Sequence, residues 1–446
     1  MSSSQTIFAL SSGSLPSAIS IVRISGSSTK KALSLLIGKI PKPRYMTYSE
    51  IKFPETKEII DIALIVYFPS NLSITGEDLA EFHLHGSVAV LDDFLLALSF
   101  ISGLRPAEAG EFSKRALING KMKLTQVEAL GDLISAETKK QKDQAVKQIK
   151  GELSDRYNGW RKGLIIMRAK IEAHLDFVEE TDVEDNVKSL NISKEIKILL
   201  KNINLDIARG VSGERLRRGI KIVLIGKPNV GKSSLINLLL KEDRSIVAPE
   251  AGTTRDVLEA RLNLNNIPVT IYDTAGIRYS KSEVETEGVK RAKKQAKEAD
   301  IIIFIHDITE KEEGEALDFI KEKEKIIKVY NKADLLKSKP TSYKEKFIIS
   351  CINNTGIERL LEALGKEAET LTGGKDVLGP NRIRHISHLN DTKLALERAI
   401  KEQTSKNYEI TADLLRSASN SLGRIVGVVD IEDVLDELFA GFCIGK

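Results

Sequence analysis

The sequence contains very little cysteine and no long apolar run. Only two cysteines, Cys351 and Cys443, occur in 446 residues, which argues against a disulfide scaffold and a cysteine-rich zinc site. No apolar run approaches the roughly 20 residues that a membrane-spanning helix needs. The first residues, MSSSQTIFALSSGS, lack the basic and then apolar regions of a secretory signal. We therefore expect a cytoplasmic protein without a membrane span.

An excess of one charge is also missing. The net charge of +4 is nearly neutral for this length, so it permits RNA contact through a local basic patch but does not indicate it. Charged residues at 29% and hydrophobic residues at 41% are typical of a globular protein rather than a disordered one. The chain is too long for one ordinary core, so we expect two or three domains.

The spacing of apolar residues divides the chain. Up to residue 118 it predicts a small α/β domain, with strands at 18–24, 62–68 and 79–85 and helices at 28–37 and 88–102. From Leu124 onward apolar residues recur every three to four positions, as on a long helix face that runs from Ile149 to Leu175. Strand and helix alternate from residue 219 to about 370, and a linker is predicted at 370–379 before helical spacing returns.

This pattern predicts a multidomain protein that combines α/β and all-α domains. The N-terminal α/β domain takes residues 1–118. One helical domain takes 119–215 and 373–446, and a second α/β domain at 216–372 is inserted between its two parts.

A phosphate-binding loop is predicted at Gly226–Ser233, with the sequence GKPNVGKS. It follows the apolar run Ile220–Ile225 and precedes the apolar helix pattern Leu235–Leu240, which is the context that a P-loop requires. The glycines let backbone N–H groups curl around phosphate oxygens. Lys232 can reach the outer phosphates, and Ser233 can offer its hydroxyl to Mg²⁺.

A second motif, Asp273–Gly276 (DTAG), follows the strand run Val269–Tyr272. Asp273 can hold Mg²⁺ through water, and the Gly276 amide can meet the γ-phosphate. The pattern is weak alone but strong downstream of a P-loop.

A third motif, Asn331–Asp334 (NKAD), follows the apolar run Ile326–Tyr330 and selects the base. Asp334 can accept hydrogen bonds from the N1 and N2 side of guanine, a donor pair that adenine lacks, so the nucleotide is expected to be GTP. Ser350–Ile357 stands where a guanine-contacting loop would lie, which favours a backbone contact over a nucleophilic role for Cys351.

The segment Gly252–Asp256 (GTTRD) lies between these motifs, in the place of a switch loop. Thr254 would bind Mg²⁺, and the loop would close on the γ-phosphate. The alternative is that the segment forms an ordinary turn. Ile277 stands where Ras-like enzymes place the glutamine that orients the attacking water. Glu285 is the best carboxylate for that work, the alternative being an exposed surface residue.

Further motifs lie outside the nucleotide domain. They are Ile21–Gly26 (IVRISG), Thr75–Asp78 (TGED) with Glu81, Gly110–Arg115 (GEFSKR) leading to Asn119–Lys121 (NGK), and the ending Cys443–Lys446 (CIGK). With them in view, the chain resembles the MnmE/TrmE family of tRNA modification GTPases over essentially its whole length. The resemblance implies an N-terminal domain that dimerises and binds folate, and a helical domain interrupted by an inserted Ras-like P-loop GTPase domain.

The resemblance also implies site residues. A 5,10-methylene- or 5-formyl-tetrahydrofolate would contact Arg23, Glu81, Lys121 and Lys446, and Arg and Lys suit its glutamate carboxylates. Cys443 would lie near the one-carbon donor, as a reactive thiol or as an inert buried one. The residues assigned to GTP are Asn229, Val230, Gly231, Lys232, Ser233, Ser234, Ala248, Pro249, Glu250, Ala251, Gly252, Thr253, Thr254, Asp273, Thr274, Ala275, Gly276, Asn331, Lys332, Ala333, Asp334, Ser350, Cys351 and Ile352.

In such a family, two GTPase domains meet and K⁺ replaces an arginine finger. The matching K⁺ ligands are the Asn229 side chain and backbone groups around Ala248, Glu250 and Thr253, while Ser233 and Thr254 hold Mg²⁺. Lys232, Thr254 and Glu285 are then the catalytic residues, with Glu285 orienting water. The added positive charge offsets negative charge on the phosphoryl oxygens in the transition state.

The implied function is the addition of a carboxymethylaminomethyl group at C5 of the wobble uridine of tRNA. It would need a homodimer of this chain in a heterotetramer with an FAD-carrying flavoprotein of the MnmG/GidA type. The alternative is a ribosome-assembly or RNA-binding regulatory GTPase, which predicts a separate basic RNA-binding module. Neither end of the sequence shows the GXXG loop of such a module, and the motifs outside the nucleotide domain favour tRNA modification.

Three segments depart from the family's pattern. They are Ser11–Ala18 and Glu108–Ala109, in the region of the folate pocket, and Ala248–Glu250 in the cation loop. Pro249 fixes one φ angle in that loop, while its backbone carbonyls remain available to a cation.

Overall fold

The computed structural model describes residues 5–176, 192–241, 244–246, 259–273, 296–310, 325–336, 347–374, 379–429, 435, 438–439, 441–442 and 445. The chain divides into two compact units, one of residues 1–131, 148–163 and 419–446, and one of residues 132–147 and 164–418. Among the described residues, no helix is both long and apolar enough to cross a bilayer. The domain boundaries predicted after residues 118, 215 and 372 remain predictions.

The first unit is built on a six-stranded mixed sheet. Its strands are β1 (Thr6–Leu10), β2 (Ile19–Ser25), β3 (Thr47–Lys52), β4 (Ile59–Phe68), β5 (Leu79–His85) and β6 (Leu104–Pro106), in the order β3-β4-β5-β2-β1-β6. All neighbouring pairs are antiparallel except β1 and β6.

Alternating residues decide which face of this sheet is buried. Val22, Ile24, Phe82 and Leu84 point into a core that is covered by helices α1 (Thr29–Ile37) and α2 (Val88–Ser99), as the period of two in a strand requires. The strand prediction at 79–85 is confirmed, whereas the helix predicted at 88–102 ends at Ser99 because Leu104 begins a strand.

Helices follow the N-terminal sheet. They are α3 (Glu111–Ile118), α4 (Leu124–Ile134), α5 (Lys139–Ile149) and α6 (Glu152–Asp176), and after them α7 (Ile192–Arg218). The single helix face predicted from Ile149 to Leu175 is wrong at its start, since Ile149 ends α5. Gly151 has φ 87, a left-handed conformation that favours glycine and ends a helix.

The second unit contains a six-stranded sheet that is mostly parallel, whereas the first sheet is mostly antiparallel. Its strands are β7 (Ile220–Ile225), β8 (Glu259–Leu264), β9 (Ile267–Asp273), β10 (Ile301–Asp307), β11 (Ile326–Asn331) and β12 (Phe347–Ile348), in the order β12-β11-β10-β7-β9-β8. Only β8 is antiparallel to its neighbour. The buried run IKIVLI of β7 fits a parallel sheet covered on both faces.

Helices complete the second unit. They are α8 (Lys232–Leu239), α9 (Ile357–Leu371), α10 (Ile383–Thr404) and α11 (Tyr408–Val426), whose last residues belong to the first unit, and α10 packs on α7. The linker predicted at 370–379 is wrong in its first residues, because α9 extends to Leu371, which packs in the core.

A buried carboxylate joins α7 to the parallel sheet. Asp300, directly before β10, accepts two hydrogen bonds of 2.8 Å from the Arg218 guanidinium, one of 3.0 Å from the Lys221 amide and one of 3.1 Å from Arg215. Removing one partner of such a buried, hydrogen-bonded pair is strongly destabilising. These hydrogen bonds fix the position of the first residues of β7, and therefore help to position the loop that follows β7.

Candidate functional site

The loop between β7 and α8 is shaped by two close approaches of backbone. A Cβ on Gly226 would collide with the Ile305 carbonyl oxygen, and one on Gly231 would collide with the Asn331 side-chain amide. Gly231 also has φ 98, which side chains rarely tolerate. Both glycines of the predicted P-loop are therefore required by the fold itself.

Lys232 is held against this loop. Its ammonium group donates hydrogen bonds of 2.8 Å to the Gly226 and Lys227 carbonyls, and the residue is only 6% exposed. Burial lowers the pKa of Lys232, and the nearby Asp273 carboxylate only partly opposes this effect. A fixed, largely desolvated cation at the N-terminus of α8 is suited to phosphate oxygens.

Ser233 and Asp273, which the sequence assigns to magnesium, are hydrogen-bonded to each other. The Ser233 hydroxyl donates to Asp273 Oδ2 at 2.7 Å, and Asp273 is 1% exposed at the end of β9. A hydroxyl and a carboxylate are oxygen ligands that fit Mg²⁺, which binds few protein groups and keeps several waters.

Asn331 connects the loop after β7 to the loop after β12. Its amide nitrogen donates to the Val230 carbonyl at 2.9 Å, and its Oδ1 accepts from the Cys351 amide at 3.3 Å. The side chain is 2% exposed, so both bonds are shielded from water. The Cys351 amide thus donates to a side chain of the protein itself, and its predicted contact with guanine stays a prediction.

The thiol of Cys351 is unsuited to nucleophilic chemistry. Burial raises its pKa to about 11, and the Asp334 carboxylate adds to this effect while a hydrogen bond with Asn331 opposes it. The thiolate is the reactive form, and at neutral pH almost none is present.

Asp334 is oriented by the loop that follows β12. The Ser350 hydroxyl donates to Asp334 Oδ1 at 2.5 Å and accepts from the Asn353 amide at 3.2 Å. This hydrogen bond fixes one oxygen of the Asp334 carboxylate. It therefore also fixes the direction in which the carboxylate could accept hydrogen bonds from a base.

Sequence reasoning missed Asp307, the last residue of β10. The Lys332 ammonium donates to Asp307 Oδ2 at 2.7 Å, and Thr309 donates to Oδ1 from both its hydroxyl and its amide. Burial raises the pKa of Asp307, but these partners outweigh it and leave the pKa below its usual range. An aspartate after a buried strand was the only signal in the sequence.

Several predicted residues lie outside the described part of the chain. They are Ala248, Pro249, Glu250, Ala251, Gly252, Thr253, Thr254, Thr274, Ala275, Gly276, Glu285, Cys443 and Lys446. Their assignments stay predictions.

Two of the predicted folate residues are neighbours on the N-terminal sheet. Arg23 pairs with Glu81 across β2 and β5, and Arg23 Nε donates to Glu81 Oε1 at 2.7 Å. Lys121 donates instead to the Asn71 carbonyl at 3.0 Å.

The TGED and GEFSKR motifs are used in folding the N-terminal unit. Arg115, 6% exposed, donates to Glu77 at 2.9 Å and to Glu111 at 2.9 Å. Burial raises the pKa of Glu111, but hydrogen bonds from Arg105, the Glu108 amide and Arg115 outweigh it, and the net pKa is lowered. Such a network stabilises the unit and needs no ligand to explain it.

Matches to known proteins extend over nearly the whole chain. Residues 6–121 match the family model described as GTP-binding protein TrmE N-terminus, and residues 124–443 match the MnmE helical domain. The chain is similar to proteins named tRNA modification GTPase MnmE from Chelativorans sp. (41% identical, 99% of this chain and 98% of the relative), Mesorhizobium japonicum (39%, all of both) and Brucella canis (42%, 99% and 98%).

Proposed function

Because the chain belongs to the MnmE family of tRNA modification GTPases, we propose that it is a potassium-activated GTPase that modifies the wobble uridine, position 34, of certain tRNAs. It adds a carboxymethylaminomethyl group at C5, using a one-carbon unit from methylene- or formyl-tetrahydrofolate. It works in the cytoplasm as a homodimer, in a heterotetramer with a flavoprotein of the MnmG/GidA type that supplies FAD.

The observation that carries GTP hydrolysis is the meeting of Lys232, Ser233 and Asp273 at the carboxyl ends of β7 and β9. Lys232 supplies positive charge at the outer phosphates, and Ser233 and Asp273 supply the oxygen atoms that suit Mg²⁺. Asp334 supplies the acceptor for guanine. The described residues thus provide phosphate, metal and base contacts within one sheet edge.

Asn229 supports the cation proposal. It is exposed and has φ 64, a left-handed conformation that asparagine tolerates better than most side chains. Its side-chain oxygen can bind a monovalent cation, with backbone groups of Ala248, Glu250 and Thr253 as further ligands. When bound, K⁺ supplies positive charge beside the phosphates, and Glu285 orients the attacking water.

The folate proposal is supported by the Arg23–Glu81 pair. Glu81 holds the Arg23 guanidinium in place, and a held guanidinium is pre-organised to bind a carboxylate of the folate tail. Lys121 and Lys446 supply further cations. The alternative of a ribosome-assembly GTPase requires an added RNA-binding module, whereas residues 6–121 match the TrmE N-terminus.

Potassium dependence tests the cation proposal. We expect GTP hydrolysis in potassium buffer to exceed that in sodium buffer of equal ionic strength by on the order of tenfold or more, because the added charge acts in the transition state. The stimulation should be lost in Glu285→Ala and in Asn229→Gly, and ATP should not be hydrolysed. Glycine is used at residue 229 because it keeps the left-handed backbone and removes only the side chain.

Asn266→Gly is the matched control, since Asn266 has φ 63 in the turn between β8 and β9. It should keep the full response to potassium. Equal rates in the two salts for the unaltered chain would refute the roles assigned to Asn229 and Glu285.

A further inference from the structure

The loop between α1 and β3, residues 38–46, carries three exposed cations and no acidic residue, and we call it the basic loop. Its cations are Lys39, Lys42 and Arg44. Within the described part of the chain, none of the three makes an ion pair. Lysines on the neighbouring elements are paired, since Lys30 lies 3.3 Å from Asp78 and Lys52 lies 2.9 Å from Glu50. The basic loop therefore presents positive charge that the described residues do not neutralise.

The backbone of the basic loop is held in place. Gly38 has φ 72 and ends α1, and Pro41 is buried. The Arg44 amide donates to the Tyr67 carbonyl at 2.8 Å, and Arg44 has φ 63, a conformation that side chains rarely adopt. Tyr67 is 3% exposed and lies in β4. The cations are thus carried by a fixed backbone, which lowers the entropy lost when they bind a ligand.

An exposed aromatic ring accompanies the cations. Tyr45 is 58% exposed, and the Lys42 ammonium lies 4.1 Å from the centroid of its ring. Such a cation is attracted by the ring's electrons, so Lys42 and Tyr45 support each other. Lys and Arg bind the phosphates of nucleic acids, and exposed aromatic rings stack on unpaired bases. The combination is typical of a surface that binds RNA.

An arginine cluster near the end of α7 shows why positive charge alone is insufficient. Arg215 and Arg218 donate to the buried Asp300, and Arg217 donates to the Asn381 carbonyl at 2.9 Å. These guanidinium groups already have partners inside the protein, so they are less available to phosphates. The cations of the basic loop differ in having no such acidic partner among the described residues.

We propose that the basic loop is a tRNA-binding surface, in which its three cations bind backbone phosphates and Tyr45 stacks on an unpaired base. RNA satisfies both the cations and the ring, whereas an acidic peptide would satisfy only the cations. The inference rests on the proposed function for the identity of the RNA. The basic loop belongs to the first unit, and its residues take no part in the phosphate, metal and base contacts described above.

Binding of fluorescently labelled tRNA to the full chain, measured by fluorescence anisotropy, tests this surface. Lys42→Gln combined with Arg44→Gly should raise Kd by about tenfold or more, because two phosphate contacts are lost. Glycine keeps the left-handed backbone at residue 44. The slope of log Kd against log salt concentration should decrease in magnitude by about two.

Lys401→Gln combined with Lys406→Gly is the matched control. Both residues are exposed and lie in the second unit, and Lys406 has φ 63, the same as Arg44. The control removes two positive charges, one of them at a left-handed position, and should leave both Kd and the salt dependence within about twofold of the unaltered chain.

Tyr45 gives a graded test of stacking. Tyr45→Leu removes the aromatic ring and should raise Kd by about tenfold. Tyr45→Phe keeps the ring and should leave Kd within about twofold. This rescue by phenylalanine distinguishes the loss of stacking from a loss of folding, as does GTP hydrolysis within about twofold of the unaltered chain in every variant.

Unchanged tRNA binding in the Lys42 and Arg44 double variant, or no tRNA binding by the unaltered chain, would overturn the surface. A changed oligomeric state of that variant in light scattering would overturn it too, since the basic loop would then be a contact between copies of this chain. Failure of the proposed function gives a different result. The unaltered chain would bind tRNA through the basic loop but would modify no wobble uridine with GTP, tetrahydrofolate and the flavoprotein present.

Discussion

Replacing Asp334 with asparagine is expected to change the nucleotide preference from GTP to xanthosine triphosphate. In the proposed site the carboxylate accepts hydrogen bonds from two donors of guanine, and the Ser350 hydroxyl fixes its orientation. Asparagine keeps one acceptor oxygen but places an NH₂ donor where the other oxygen was, so one hydrogen bond to guanine is replaced by a contact between two donors. A hydrogen bond to a charged group contributes about 1.5–3 kcal/mol, and the unpaired donors add to this loss, so kcat/KM for GTP should fall by at least ~100-fold. Xanthine carries a carbonyl in place of the 2-amino group, so an asparagine can donate to it.

Measuring kcat/KM for both nucleotides checks this prediction. Asp334→Asn should hydrolyse xanthosine triphosphate at a rate close to that of the unaltered chain with GTP, and this gain shows that the variant is folded. Asp92→Asn, an exposed position on α2, is the control and should leave the preference for GTP unchanged. A variant that still prefers GTP would remove Asp334 from the base contact.

Replacing Lys232 with methionine is expected to reduce GTP hydrolysis by about 10³-fold or more, because the cation stabilises charge that develops on the phosphates. The free energy of unfolding should change little. Burial lowers the pKa of Lys232 from its usual 10.5, so keeping its charge at neutral pH costs stability, and this cost decreases only as the pH rises from the lowered pKa to the usual one. Methionine retains the apolar stem and removes the cost, which offsets the two lost hydrogen bonds.

Single-turnover hydrolysis and denaturant unfolding separate these effects. The free energy of unfolding at neutral pH should stay within about 1 kcal/mol of the unaltered chain. Lys227→Met is the matched control, because Lys227 is exposed on the same loop and contributes a backbone carbonyl to Lys232. It should keep hydrolysis within twofold. A large loss of stability in Lys232→Met would mean that Lys232 mainly holds the loop together.

The nucleotide site could be predicted from sequence because its parts are local. Strand Ile220–Ile225 and the GKPNVGKS loop are contiguous, and Asp273 and Asn331, which begin two later motifs, are the last residues of β9 and β11. Because β7, β9 and β11 run parallel in one sheet, the loop after β7, Asp273 and Asn331 lie at the same edge of that sheet. Short elements were harder, since β1 (Thr6–Leu10) has five residues and β3 (Thr47–Lys52) carries the mixed pattern of an edge strand.

Contacts between distant residues could not be predicted. The bond between Ser11 and Gly445 depends on the fold of the intervening chain, and the pairing of Lys332 with Asp307 depends on the register of β10 and β11. The Arg23–Glu81 pair is an intermediate case, since family motifs named both residues and strand register brings them together.

Analysis of tRNA nucleosides tests the central claim most directly. The cells have no other source of this modification and express either the unaltered chain or Lys232→Met. Their tRNA is digested, and the wobble uridine is measured by mass spectrometry. We predict that the carboxymethylaminomethyl group at position 34 is present with the unaltered chain and absent with Lys232→Met. Equal modification in both, or none with the unaltered chain, would contradict a GTP-driven role in tRNA modification.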